Sequence, residues 1–251
     1  MDFYSKPTLD KDEIRKDNKF DQLIESSKSN RLISKPNDFN ELKIVEGYQR
    51  CKKIVIKAGY KTEIEWQNSV SIDQLTECGF LKEHAWVTLA SGMREKVIRN
   101  LFQRFSSIFF DWKSAEMITE NEDICRESAF EIFANKNKVN AIIRTSYIVT
   151  TYGFEVIKRL IVENPAETLR KFPYVGPITY FHLAKNIGLP VAKPDRHLSR
   201  LANQFNFFDV QTLCNYLSDE TGDSIPVVDI VLWRYATITK DFVTKFVQLS
   251  K

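Results

Sequence analysis

The 251-residue sequence is poor in residues that bind metals or form disulfides. It has only four cysteines, and their spacing does not match the short spacings of structural metal ligands. We therefore expect reduced thiols in the core of a cytoplasmic protein. The four are Cys51, Cys78, Cys125 and Cys214.

Long hydrophobic runs and a strong net charge are also missing. No apolar stretch is long enough to span a membrane, and the first residues, Met-Asp-Phe-Tyr, do not resemble a signal peptide. The formal charge of +3 is too small by itself to indicate nucleic-acid binding. A composition of 43% hydrophobic and 27% charged residues is typical of a soluble globular protein with one or two domains.

Strand patterns are almost absent, whereas helical periodicity is common. One helix is predicted from Asp38 and ends at Gly59, and a series of amphipathic helices lies between 73 and 161. Three more follow at about 196–205, 209–220 and 226–248, the last broken near Thr239. Only 62–66 alternates enough to suggest a short extended segment. The sequence predicts an all-α fold, preceded by a partly ordered polar tail over 1–36.

The most informative stretch runs from Leu169 to Arg200. A helix is predicted to begin with Pro165, a short turn follows, and Pro177 suits the start of a second helix that Gly188 ends. A turn that leads into a fresh helix N-terminus presents backbone N–H groups that can hold a phosphate oxygen without reading a base. Residues 161–200 contain six Lys/Arg and three Asp/Glu, which suits such a partner.

The sequence LRKFPYVGPIT, with PDRHLSR following the hairpin, resembles the helix-hairpin-helix DNA glycosylase superfamily over about thirty residues. Tyr174 stands where the family motif has its first glycine, and tyrosine is costly there if the position needs a positive φ. The family's loop of four close cysteines is missing, so we expect no iron–sulfur cluster.

The resemblance implies two helical lobes with a cleft for double-stranded DNA between them. The barrel lobe would comprise about 80–190, with the helix-hairpin-helix at about 165–187. The second lobe would comprise 37–79 with 195–251.

The same resemblance makes Asp195 the catalytic residue. A carboxylate at a helix N-terminus is favoured in its charged form, and such a charge stabilises the oxocarbenium character that a sugar develops as its base leaves. The target base must first be flipped out of the duplex. From local sequence alone, a helix N-cap is the favoured explanation of Asp195, and the two roles are compatible.

Ile178 and His182 lie four residues apart on one helix face, which in relatives looks into the base pocket. His84, Trp86 and Met93 fall where the family places pocket and strand-opening residues. Core packing is the alternative for His182 and, more strongly, for Trp86. The remaining tryptophans are interpreted as core residues: Trp66, Trp112 and Trp233.

The resemblance also assigns the hairpin backbone. The N–H groups of Tyr174, Gly176 and Thr179 would meet a DNA phosphate. A monovalent cation (Na⁺ or K⁺) would bind the carbonyls of Arg170, Phe172 and Val175. His197 would contact phosphate, and several cations would attract DNA unless they are merely a solvated surface: Lys171, Lys185, Lys193, Arg196 and Arg200.

Relatives that also cleave the DNA strand use a lysine two residues after the second hairpin glycine, and that position is Ile178 here. We therefore expect a monomeric, monofunctional glycosylase without lyase activity. The sequence does not identify the excised base. Because the pocket residues differ from the family pattern, one alternative is a defence enzyme that removes modified pyrimidines, for example glucosylated ones, from phage DNA. A non-catalytic hairpin protein that only binds DNA is the other alternative.

Overall fold

A computed structural model describes residues 38–251, with side chains from residue 43 onward; the predicted tail lies outside this range. Every regular element in the described range is helical, which confirms the all-α prediction. The first seven helices are α1 (Asp38–Val55), α2 (Lys61–Ser69), α3 (Glu77–Ala90), α4 (Glu95–Ile108), α5 (Ala115–Glu120), α6 (Glu122–Ile132) and α7 (Lys136–Tyr152).

The C-terminal half contains the hairpin and the helices that follow it. These are α8 (Phe154–Glu163), α9 (Pro165–Leu169), α10 (Pro177–Asn186), α11 (Arg196–Gln204), α12 (Val210–Thr221), α13 (Ile225–Ile238) and α14 (Phe242–Leu249). No described helix is both long and apolar enough to cross a bilayer.

Buried apolar side chains form two separate clusters. The first cluster draws on residues 75–189 and includes the stacked rings of Phe105, Phe109 and Trp112. The second combines residues 44–64 with 192–246, so α1 and α2 pack against the C-terminal helices. Both clusters have large fully buried members, as the burial of one helix stripe against another requires.

The predicted lobe boundary near residue 80 needs one correction. Leu75 belongs to the first cluster, and Ile72 and Cys78 pack against it. The physical reason is that a 3-10 turn at Ile72–Gln74 and the Thr76 N-cap lead directly into α3. The stretch before α3 therefore joins the core that α3 helps to build. The remaining lobe assignments stay a prediction.

Two of the predicted helix breaks are confirmed, and the extended segment is wrong. Gly59, at φ 94°, separates α1 from α2, and Thr239 adopts an extended conformation at the end of α13. Residues 62–66 are helical. Ile64 and Gln67, three residues apart, are the buried positions of α2, a helical rather than an alternating pattern.

Gly188 ends the hairpin helix because no other residue fits its position. Its φ is 91°, in the left-handed region. A Cβ placed there would lie 2.6 Å from the backbone nitrogen of Ile72 and 2.6 Å from the carbonyl carbon of Ser71. The glycine thus allows the backbone before α3 to touch the end of α10.

We predict that Gly188→Ala lowers the free energy of unfolding by more than the roughly 1–2 kcal/mol cost of a left-handed alanine, since the clash adds to it. Gly222→Ala is the matched control, because Gly222 has φ 73° but a Cβ added there would meet nothing within 4 Å. Urea denaturation of both variants checks the difference. Equal losses would show that the close approach at Ser71 is unimportant.

Candidate functional site

The hairpin turn contains a left-handed residue that is a tyrosine and not a glycine. Tyr174 has φ 62° and is 39% exposed. The Thr179 hydroxyl donates to the Tyr174 carbonyl at 2.8 Å and accepts the Gly176 N–H at 2.7 Å. Phe172 and Val175 anchor the turn in the first core. The turn conformation is therefore held by its surroundings rather than by glycine.

The buried His84 side chain stabilises the hairpin turn through a hydrogen bond. Its side chain on α3 is 1% exposed, and Nε2 lies 2.9 Å from the Pro173 carbonyl oxygen, to which it donates. Burial lowers the pKa of His84 to about 4, and the Pro173 hydrogen bond opposes this only in part. His84 is thus a neutral structural residue and not a pocket residue.

Asp195 is the N-cap of α11. Its Oδ1 accepts the backbone N–H of His197 at 2.8 Å and that of Leu198 at 2.9 Å. This geometry orients the carboxylate and leaves Oδ2 without a hydrogen bond among the described residues. The N-cap and catalytic interpretations are compatible, since one oxygen serves the helix and the other is available.

A second carboxylate holds the segment that leads to Asp195. Asp229 on α13 is 2% exposed and accepts the Lys193 N–H at 2.7 Å. It also pairs with the Lys185 ammonium, which is 5% exposed. Lys185 therefore faces the interior, so its prediction as a DNA-attracting surface cation is wrong. Buried lysine requires such a partner.

Asp195 opens onto a cavity of about 540 Å³ between elements of the two clusters. This volume is in the range of ligand pockets, about 300–1,000 Å³. The structure brings several predicted site residues to this one cavity: Asp195, Ile178, His182, Trp86, Thr179 and Lys193. Met93 also lines it, beside Ser91 and Gly92.

The predicted pocket residues differ in their exposure and their contacts. Ile178 is 51% exposed, and Trp86 packs edge-on against Phe102 at 5.0 Å between ring centroids. The pKa of His182 lies well below its usual value because of burial and then because of Lys193 and Lys185. The His182 imidazole is therefore neutral at pH 7 and lines the cavity.

Lys193 is predicted to contact phosphate, and that role stays a prediction. It is half-buried and lines the cavity. Burial and Lys185 lower its pKa, and Asp195 and Asp229 raise it. The extended link turns this lysine inward because its own N–H is held by Asp229.

The sequence did not predict the cavity wall that contains Arg234, Glu63 and Trp66. Arg234 on α13 makes bonds of 2.6–3.0 Å to Glu63, and its guanidinium stacks on Tyr60 and Trp233. Trp66, interpreted above as a core residue, is 41% exposed and lines the cavity. Trp112 is buried as expected. Trp66 lines the cavity because α2 packs against α13. The local sequence does not reveal this packing.

Lys138 is a further residue that no sequence pattern singles out. Its ammonium donates to the Leu89 carbonyl at 2.8 Å and to the Ser91 carbonyl. It is 4% exposed, and burial lowers its pKa. A cation at the C-terminus of α3 satisfies the last carbonyls and fixes the turn that carries Met93.

Other predicted DNA contacts lie away from the cavity. The His197 ring packs edge-on against Phe242 at 5.5 Å, and its Nδ1 is buried without a partner in the described structure. That nitrogen is therefore not the one to meet a phosphate. Arg200 is exposed, with its guanidinium 5.5 Å from the centre of the Phe242 ring. Lys171 pairs with Glu167 at the surface.

Tyr174, Gly176, Ile178 and Thr179 line a shallow groove beside the hairpin. The Gly176 N–H is taken by Thr179, so its assignment as a phosphate donor does not hold in this conformation. The N–H groups of Ile178 and Thr179 lie in the first turn of α10, where helical partners are lacking. The Tyr174 N–H has no backbone partner in the described structure, so the assignment of Tyr174 and Thr179 as phosphate donors stays a prediction.

The three carbonyls assigned to a monovalent cation sit in the same turn. The Phe172 carbonyl already accepts the Val175 N–H at 3.2 Å, which leaves it one lone pair. The residues Arg170, Phe172 and Val175 offer only neutral oxygens, which suits a weakly held monovalent ion. No cluster of metal-binding side chains occurs within the described residues.

A scan against protein-family models, a search of curated proteins and a search of solved structures found no match to this chain.

The buried His84 predicts a pH-dependent stability. Its folded pKa of about 4 lies below the unfolded value, so the native state binds fewer protons and loses stability as pH falls from about 6.5 toward 4. Between pH 7 and pH 4.5 this group should cost about 2 kcal/mol. His84→Gln, whose amide can still donate to Pro173, should lack this component in urea denaturation. An unchanged pH dependence would contradict the assignment.

Proposed function

We propose that this protein is a DNA glycosylase, which flips a modified or damaged base from double-stranded DNA and hydrolyses its N-glycosidic bond. The observation that carries the proposal is the position of Asp195. Its carboxylate is fixed at a helix N-terminus and opens onto a cavity with Ile178, His182 and Trp86. A concave site with a pre-oriented anion suits a reaction whose transition state is cationic.

Asp195 would act on the sugar rather than on the base. As the C1′–N bond breaks, positive charge develops on the sugar ring, and the Asp195 carboxylate stabilises it. The same oxygen then accepts a proton from the water that attacks C1′. His182 and Trp86 would contact the flipped base through a neutral imidazole and an indole face. Base flipping is required because a stacked base cannot reach the cavity.

The hairpin would position the DNA without reading its sequence. Ile178 and Thr179 supply first-turn N–H groups beside the groove at Tyr174 and Gly176. Phosphate held by backbone groups carries no base information. A monovalent cation bound by the carbonyls of Arg170, Phe172 and Val175 would add positive charge at the same turn. Arg196 and Arg200 are exposed cations of the predicted set that would suit a nearby phosphate.

The product should be free base and an intact strand with an abasic site. Strand cleavage needs an amine nucleophile, and the hairpin position that supplies it in relatives is the aliphatic Ile178. Lys193 is the cavity amine that could replace it. Borohydride traps a covalent protein–DNA adduct if an amine attacks the sugar. An adduct that forms with the wild type and is lost in Lys193→Ala would contradict hydrolysis by Asp195.

The lining of the cavity suits a base with polar substituents. Its wall carries tryptophans together with acidic and basic side chains. This supports, as a second candidate, a defence enzyme that excises modified pyrimidines such as glucosylated ones from phage DNA. Free bases released from a panel of genomic DNAs, including heavily modified phage DNA, identify the substrate by mass spectrometry.

Asp195→Asn should reduce base release by at least about 10²-fold, because the amide removes the charge that stabilises the transition state. Asparagine can still accept the helix N–H bonds, so the fold should persist, as circular dichroism can verify. The assay is single-turnover release of base from the DNA that the wild-type protein attacks. Undiminished release in the variant would refute the catalytic role, and DNA binding without release in the wild type would favour the non-catalytic alternative.

Gly176→Val should weaken binding to undamaged duplex by about tenfold, or about 1.4 kcal/mol. Gly176 has φ −88°, and a Cβ added there would meet nothing closer than Thr179 Oγ1 at 3.8 Å, so the added bulk faces the groove and not the core. Affinity should also be independent of sequence and fall steeply with salt. Fluorescence anisotropy measures it, with Glu131→Val, at an exposed position of α6 outside the groove, as the control. Unchanged binding would remove the hairpin from the interface.

A further inference from the structure

The carboxyl groups that line the cavity differ in the groups that compensate their charge. Three of them are paired with a cation: Glu63 with Arg234 and Asp229 with Lys185, each on another helix, and Glu95 with Arg99 on the same helix. Asp195 is held by helix N–H groups. Glu83 on α3 lines the same cavity without a salt bridge in the described part of the chain.

Glu83 instead receives a hydrogen bond from a neutral group. Asn186 Nδ2 on α10 donates to Glu83 Oε2 at 2.8 Å, and Asn186 is 6% exposed. Burial raises the pKa of Glu83 to about 7, although the Asn186 bond and the neighbouring Lys82 act in the opposite direction. An amide does not require its acceptor to be charged, so Glu83 is able to carry a proton at neutral pH.

We propose that Glu83 is the general acid that protonates the departing base. This inference rests on the proposed glycosylase function. The Glu83 carboxyl gives its proton to a nitrogen or carbonyl oxygen of the base while the C1′–N bond breaks and its electron pair moves to the base. The base leaves neutral, water adds its hydroxyl to C1′, and its second proton goes to Asp195. Proton return from Asp195 through solvent restores Glu83.

The different roles of Asp195 and Glu83 follow from their different environments. Cleavage of a glycosidic bond by paired carboxyls needs one protonated group for the leaving base and one charged group for the sugar. Asp195 lies where backbone N–H groups favour an anion, and Glu83 lies where burial favours the acid. An acid works best when its pKa is near the working pH.

The other titratable groups of the cavity are less suited. His182 is neutral, because its pKa lies well below the usual value, and therefore has no proton to give. Lys185 is held by Asp229. Lys193 has a lowered pKa and is the competing proton donor that an experiment must distinguish from Glu83.

The test measures single-turnover base release between pH 5.5 and pH 9 on the genomic DNA that the wild type attacks. The wild-type rate should be flat at low pH and fall above about 7, as the Glu83 carboxyl loses its proton. Glu83→Gln keeps an acceptor for Asn186 but cannot donate a proton, so its rate should fall about 10²–10⁴-fold and the descending limb should vanish. Glu131→Gln, an exposed charge on α6 away from the cavity, should match the wild type.

Asn186→Ala gives a second, independent readout. It removes the hydrogen bond that lowers the pKa of Glu83, so the descending limb should move to higher pH. The stability of the protein checks the same ionisation without activity. Because the folded pKa of Glu83 exceeds the unfolded value, wild-type stability should decline as pH rises from about 4.3 to 7, and Glu83→Gln should lack this decline.

Each result has a separate meaning. A Glu83→Gln variant with the wild-type rate and pH profile, beside an inactive Asp195→Asn, overturns the role of Glu83 alone. A descending limb that persists in Glu83→Gln and disappears in Lys193→Gln transfers the role to Lys193 and also overturns it. Wild-type protein that releases no base from any DNA overturns the glycosylase function and this inference together.

Discussion

The buried carboxylate of Asp229 is the interaction on which the candidate site depends. It lies on α13, accepts the Lys185 ammonium from α10 and the Lys193 N–H from the link before α11, and so joins elements of both clusters. Removing one partner of such a pair leaves a buried charge that costs about 3–5 kcal/mol. Asp195, two residues after Lys193, is therefore positioned by a contact from a helix more than thirty residues further along the chain.

The hairpin shows how tertiary contacts maintain an unfavourable local conformation. A left-handed tyrosine costs about 1–2 kcal/mol relative to glycine. Around Tyr174, the Thr179 hydroxyl bonds on both sides of the turn, Phe172 and Val175 are buried, and His84 holds the Pro173 carbonyl. These contacts over-determine the backbone, which is the condition for such strain to persist. The exposed tyrosine ring then faces the groove that we assign to DNA.

Most carboxylates of the cavity are neutralised by a cation, and two carboxyl groups are not. Arg234 neutralises Glu63 and joins α13 to α2, whereas Lys185 neutralises Asp229 and joins α10 to α13. Asp195 and Glu83 form no salt bridge among the described residues: helix N–H groups hold the Asp195 carboxyl, and burial raises the pKa of Glu83. Carboxyls whose environments separate their protonation states are a common arrangement where acid and base roles are divided.

The sequence alone determined the helical class, the breaks at Gly59 and Thr239, the hairpin boundaries at Pro165 and Pro177, and the Asp195 N-cap, because each depends on periodicity or on a residue's own backbone preference. Only the tertiary structure decided that Lys185 and Lys193 face inward, that Trp66 and Arg234 form a cavity wall, and that Glu83 lacks a cation. A side chain's charge partner and burial depend on which distant helix packs against it, and no local pattern encodes that choice.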